Sequence, residues 1–229
     1  MFIGSPLVCA ALGFAAGLVL RLPVERLVAA APVPAPPAAL VRTRPPGTLS
    51  LAGLTAAVFA SLAWRLGPGL DLLAFLVLAA CGVVLALVDL RTLRLPDAVT
   101  GAMLLAGLAL LGMESLAVGD PTAYARALAG ALLLAGYHLA LAVFRCGALG
   151  LGDVKLAAVL GLHLSWLGWD NLFAGAFLSF AGAGLAAAVL LLTRRARLDT
   201  ALPFGPWMLL GALGGVLYGD QLMSAYAGW

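Results

Sequence analysis

The chain has 229 residues, 64% of them hydrophobic and 10% charged, with a mean hydropathy of +1.10. A soluble domain carries about 45–50% apolar and roughly 25% charged residues, which excludes water as the main solvent. The net charge of +3 comes from thirteen basic residues scattered between apolar runs, not gathered with aromatics along a groove, which excludes nucleic acid as a partner.

Eight apolar segments follow in chain order, at about 2–20, 49–64, 70–88, 98–118, 123–144, 154–169, 171–193 and 204–219. They predict an all-α integral membrane protein, a polytopic bundle of about eight transmembrane helices forming one domain over 1–229. The second and sixth are short against the roughly 20 residues that cross a bilayer. The first segment lacks a positive leading region, and Arg21 and Arg26 follow it. It therefore reads as a retained helix with its N-terminus outside, rather than a cleaved signal. With that orientation the odd-numbered loops are cytoplasmic and hold Arg21, Arg26, Arg42, Arg44, Arg91, Arg94, Arg145, Lys155, Arg194, Arg195 and Arg197. Only Arg65 and Arg126 fall on the other side, the asymmetry expected of a plasma (inner) membrane protein with its positive loops inside.

The first cytoplasmic loop, 22–48, contains PVPAPP and RPPG, which favour an extended polyproline-like linker. Cys9, Cys81 and Cys146 are odd in number and far apart, giving neither a disulfide framework nor a CxxC metal site. They read as small buried hydrophobes.

The third and fifth loops each place an aspartate at a helix boundary: Asp89 in VDLRTLRLPD at 88–97, and Asp153 in GLGDVK at 150–155. A lone acid at a membrane boundary is ordinarily a solvated loop residue; the pair carries the chemistry. Two carboxylates held close share a proton, so one activates a water while the other donates to a scissile carbonyl. Asp89 ends a helix, where the dipole disfavours a negative charge, and Asp153 opens one, where free N–H groups favour it. Asp89 is therefore the expected proton holder.

Gly150 and Gly152 are expected to let the backbone bend and approach an extended peptide before a helix resumes at Val154. GLGD lacks Walker spacing and sets an acid where an anion would bind, which argues against a phosphate loop. Lys155, the only lysine, is expected to give electrostatic support, with peptide or lipid-headgroup contact the second reading. In LPFGPW, 202–207, two prolines around a glycine pin a helix start, either as a rigid turn alone or as a wall of the site.

These elements together resemble the type IV prepilin peptidase family, membrane aspartic peptidases related in motif to other GxGD proteases such as presenilins and archaeal preflagellin peptidases. The resemblance rests on Asp89 with Leu95-Pro96-Asp97, then Gly150 to Lys155, then Pro203-Phe204-Gly205-Pro206, in order and on one face. It places a peptidase core at 70–229. It implies that Asp89 and Asp153 are catalytic, and that Pro96, Asp97, Gly150, Gly152, Lys155, Pro203, Phe204, Gly205 and Pro206 shape the site or bind substrate. The implied substrates are type IV prepilins or pseudopilins, whose charged leaders are cut after a glycine, on the cytoplasmic side, just before a long apolar helix held in the lipid bilayer. Longer members carry a cytoplasmic insertion with paired CxxC motifs, associated with zinc and with methylation of the new N-terminus. Here that loop is short and cysteine-free, so no metal and no cofactor are expected, and cleavage without methylation is the preferred reading.

Three alternatives stay open at this level: a preflagellin-type or presenilin-like GxGD protease, a proton- or cation-coupled transporter using the same carboxylates, and a catalytically silent assembly subunit. A transporter would set its acids near the midplane. His138 and His163 lie inside apolar segments and read as neutral, hydrogen-bonded imidazoles. Gly13 to Gly17 and Gly211 to Gly215 fit either a homo-oligomer face or close packing within one chain.

Overall fold

The computed structural model describes residues 5–30, 47–144, 149–197 and 200–227. These form eight helices: α1 (Pro6–Ala30), α2 (Thr48–Leu66), α3 (Leu70–Thr92), α4 (Asp97–Val118), α5 (Pro121–Phe144), α6 (Leu151–Leu167), α7 (Trp169–Leu192) and α8 (Gly205–Ala227). No strand occurs among the described residues. Six of the helices, α1 to α5 and α7, are long and apolar enough to cross a bilayer, so the chain is an all-α polytopic membrane protein. Helix α6 is the short sixth segment, with 17 residues. It lies at the centre of the bundle, buried from Leu156 to Ser165 almost without a break, so its neighbours rather than lipid supply its surroundings. Helix α8 carries Asp220 and Gln221 in its distal half, which lowers its hydropathy below that of the other spans.

In lipid there is no hydrophobic drive between helices, and association relies on close packing of small residues. The tightest neighbours are α1 with α2, α5 with α6, and α7 with α8. A Cβ on Gly17 would sit 2.5 Å from the Ala52 Cα, and one on Gly215 would sit 2.7 Å from the Asn171 carbonyl oxygen. Gly130 and Gly161 face each other across α5 and α6. The spacings Gly13 to Gly17 and Gly211 to Gly215 thus serve packing inside one chain.

The bundle has two ends. At one, Arg65 pairs with Asp220, the Glu114 carboxylate accepts the Leu70 N–H at 2.9 Å, and Arg126 donates to the last carbonyls of α6, Ser165 at 2.7 Å and Trp166 at 2.8 Å. The two basic residues expected outside therefore both find partners within the chain, Arg65 through one guanidinium nitrogen and Arg126 through two. The opposite end carries Asp89, Asp97, Asp153 and Lys155. Of the other basic residues used for orientation, Arg42, Arg44 and Arg145 lie outside the described residues, as do Cys146 and 31–46 of the expected linker.

The linker itself begins later than expected. Helix α1 continues through Pro23 to Ala30, so 22–30 are helical. Proline removes one backbone donor, but Val24 compensates by packing with Val84 and Val88 of α3, flanked by Leu20, Leu27 and Val28. His138 and His163 are buried, and each Nδ1 donates to the carbonyl four residues back, Leu134 at 2.9 Å and Val159 at 2.8 Å.

Candidate active site

Asp89 sits one turn before the end of α3, not at its last residue, and is only 4% exposed. Its carbonyl accepts the Leu93 N–H at 2.8 Å, and Leu93 then takes the left-handed conformation, φ 53°, turning the chain sharply into Arg94-Leu95-Pro96. Pro96 precedes α4 with an extended backbone, as a residue fixed in φ suits a helix start. Its carbonyl accepts the Thr100 hydroxyl at 3.0 Å.

Helix α6 begins at Leu151, three residues earlier than the expected resumption at Val154. Gly150 is its N-cap and Asp153 the third helical residue. The Asp153 N–H donates to the Gly150 carbonyl at 3.0 Å, and the Asp153 carboxylate accepts the Gly150 N–H at 3.1 Å. This reciprocal closure is the capping-box arrangement run between backbone and acid. It fixes Asp153 with one oxygen engaged. Gly150 has ordinary extended dihedrals, and a side chain there would meet the Asp153 carboxylate at only van der Waals distance. Its expected bending role is therefore not used in this conformation. Gly152 is different: a Cβ would approach the Leu95 Cβ to 3.0 Å.

The PFGP turn closes the site from a third direction. Gly205 opens α8, and its N–H donates to the Asp89 carboxylate at 3.0 Å. A Cβ on Gly205 would lie 2.8 Å from that oxygen and 3.3 Å from Leu95 Cδ2. Leu95 is thus a wedge between Gly152 and Gly205, holding the three motifs in register. The α8 N-terminus also changes the electrostatic reading. Both carboxylates now face backbone N–H groups at helix starts, so the simple dipole contrast that made Asp89 the proton holder is not what the fold provides.

A cavity of about 690 Å³ opens between these elements. Asp89, Pro96, Asp97, Gly150, Gly152, Asp153 and Lys155 all line it. Among the described residues no hydrogen bond joins the two carboxylates. Lys155 Nζ bonds Asp97 Oδ1 at 2.7 Å, tying α6 to the start of α4 across the cavity mouth. Both partners are at least half exposed, so this pair contributes about 0–1 kcal/mol and acts mainly in placement. Pro203, Phe204, Gly205 and Pro206 do not line the cavity. Phe204 packs instead on Phe180 and His138, with ring centroids 5.2 and 6.1 Å apart, anchoring the turn that delivers Gly205.

Leu27 and Ala30 also line the cavity, and sequence reasoning missed both by ending α1 too early. The signal was there: Leu20, Val24, Leu27 and Val28 recur at helical spacing.

The model of the Type IV leader peptidase family matches residues 76–192, which contain both aspartates. The chain belongs to this family. It is 34% identical over 182 residues to the prepilin leader peptidase/N-methyltransferase of Aeromonas hydrophila, covering 76% of this chain and 59% of that protein. The proteins of the same name from Dickeya chrysanthemi and Pectobacterium carotovorum subsp. carotovorum are 38% identical over 168 residues and 36% over 161, covering 70% and 69% of this chain and 55% of each relative. The chain thus spans a little over half the length of these curated relatives. No solved structure matches it.

Proposed function

We propose that this chain is an aspartic endopeptidase that removes the leader of type IV prepilins or pseudopilins at the cytoplasmic face of the plasma membrane. The observation that carries the reading is that Asp89 and Asp153, from helices distant in sequence, line one cavity at the same end of the bundle. Membership of the leader peptidase family supports the substrate class. The charge distribution supports the orientation, because Arg91, Arg94, Lys155, Arg194, Arg195 and Arg197 belong to the loops and helix ends on the Asp89 side.

In this mechanism one carboxylate is ionised and the other protonated. The ionised one takes a proton from a water as its oxygen attacks the scissile carbonyl carbon, and the protonated one gives its proton to the carbonyl oxygen. The resulting gem-diol collapses when the first acid protonates the amide nitrogen and the second recovers the diol proton. The C–N bond breaks, releasing a leader carboxylic acid and a new amino terminus on the pilin helix. Leu95 and the Gly205 N–H position Asp89, while the Gly150 cap positions Asp153. Lys155 and Asp97 hold the mouth through which the leader enters. Cleavage proceeds here without methylation, since the linker that would carry the paired cysteines has none.

A transporter finds less support, because no described acid interrupts the middle of a helix. Co-expression with a prepilin bearing a Gly-Phe junction is the test. The prepilin is expected to shift to its mature mobility, with the phenylalanine as an unmethylated N-terminus by mass spectrometry. An unprocessed prepilin beside a well-expressed protein contradicts the assignment.

A further inference from the structure

Away from the catalytic cavity, a second hollow of about 280 Å³ runs between α2, α3 and α8, and every side chain lining it is apolar. Its long wall is one stripe of α3 from Phe75 to Leu90, sixteen residues spanning roughly 22 Å of helix. Gly82 forms part of its floor, where a Cβ would meet Leu209 Cδ2 at 3.0 Å. The rims, Leu54 and Leu210, are more than half exposed, so the groove opens sideways toward the surrounding membrane.

Its position decides what it suits. The groove ends at Leu90 and Pro206, the chain neighbours of Asp89 and of Gly205, which holds the Asp89 carboxylate at 3.0 Å. A helix lying in the groove therefore emerges beside Asp89. Resting on the peptidase reading above, we propose that this groove is the docking lane of the substrate's apolar helix, with α2 and α8 as its banks and the scissile junction unwinding past Leu90 toward Asp89. An apolar helix presents side chains at i, i+3, i+4 and i+7, the spacing with which α3 itself lines the groove. Charge plays no part along the lane, so discrimination there is by shape, and leader recognition is left to the cavity.

The test uses the full chain in vesicles, with Asp153→Asn to hold uncleaved prepilin. A photoreactive p-benzoylphenylalanine is placed at Val83 or Leu210 in the groove, or at Leu132 of α5 or Phe177 of α7, which are 77% and 71% exposed on other faces. Adducts with the pilin helix are expected at Val83 and Leu210, removed by excess unlabelled prepilin, and absent at Leu132 and Phe177. Equal yields at all four positions, or adducts with phospholipid alone at Val83 and Leu210, overturn the proposal. A second measurement uses Val83→Trp. Filling the groove is expected to raise KM for full prepilin about ten-fold more than KM for a junction peptide lacking the apolar helix. An equal change for both substrates overturns the lane. Cleavage by the unsubstituted protein separates the two claims: processing without groove adducts rejects the lane alone, whereas no processing rejects the peptidase reading itself.

Discussion

Gly205→Ala isolates the contact between the third motif and the first. The added methyl would lie 2.8 Å from the Asp89 carboxylate oxygen, whereas a relaxed carbon–oxygen contact is about 3.3 Å. Asp89 or the start of α8 must therefore move by roughly 0.5 Å. Leu95 Cδ2, 3.3 Å from the same methyl, blocks the easiest escape. A misplacement of about 1 Å at a reacting group costs on the order of 100-fold in rate, and losing a charge-assisted hydrogen bond costs about 1.5–3 kcal/mol. Together these set an expected fall in kcat of about 10- to 100-fold, with KM for prepilin little changed. Kinetics on purified protein in detergent would measure it, with circular dichroism confirming helix content. Gly184→Ala, whose methyl meets nothing within 4 Å, is the control and should cleave normally. Wild-type kcat for Gly205→Ala would refute the positioning argument.

Other substitutions probe the supports. Arg126→Ala removes both donors from the Ser165 and Trp166 carbonyls, so the C-terminal end of α6 is expected to lose about 1–3 kcal/mol, read as a lower melting temperature in detergent. Leu95→Ala removes the wedge between Gly152 and Gly205; a loss of about 2 kcal/mol in stability, with a larger fall in kcat than in stability-matched Leu variants elsewhere, is expected from thermal melts and kinetics. On the proposed dyad, with one proton shared by two carboxylates, kcat/KM is expected to be bell-shaped in pH. The rate falls on the acid side as the base is protonated and on the alkaline side as the acid is lost. A profile flat across the carboxylate range would exclude the pair as acid and base.

Much of this was legible because lipid imposes strong rules: long uncharged runs mark spans, and basic loops mark a face. The aspartates stood out because VDL and GLGD interrupt those runs at their ends. Three features were not legible. Helix α1 runs past Pro23 because Val24 finds Val84 and Val88, a tertiary gain that overrides a local helix breaker. The Gly205 N–H on Asp89 joins residues 116 positions apart, so no local dipole argument could include it. Phe204 and Pro206 belong to the motif yet face away from the cavity, one toward His138 and Phe180 and the other toward the groove; motif membership says nothing of direction.

The central claim, that Asp89 and Asp153 act together on the scissile bond, is tested most directly by prepilin cleavage with Asp89→Asn and Asp153→Asn. Each keeps side-chain volume and hydrogen-bonding ability while removing the ionisable oxygen. Each single variant, at wild-type helix content, is expected to lose cleavage by about 100-fold or more, and the double variant to be no worse than either. Undiminished cleavage by either well-folded variant would remove that residue from the mechanism and contradict the dyad.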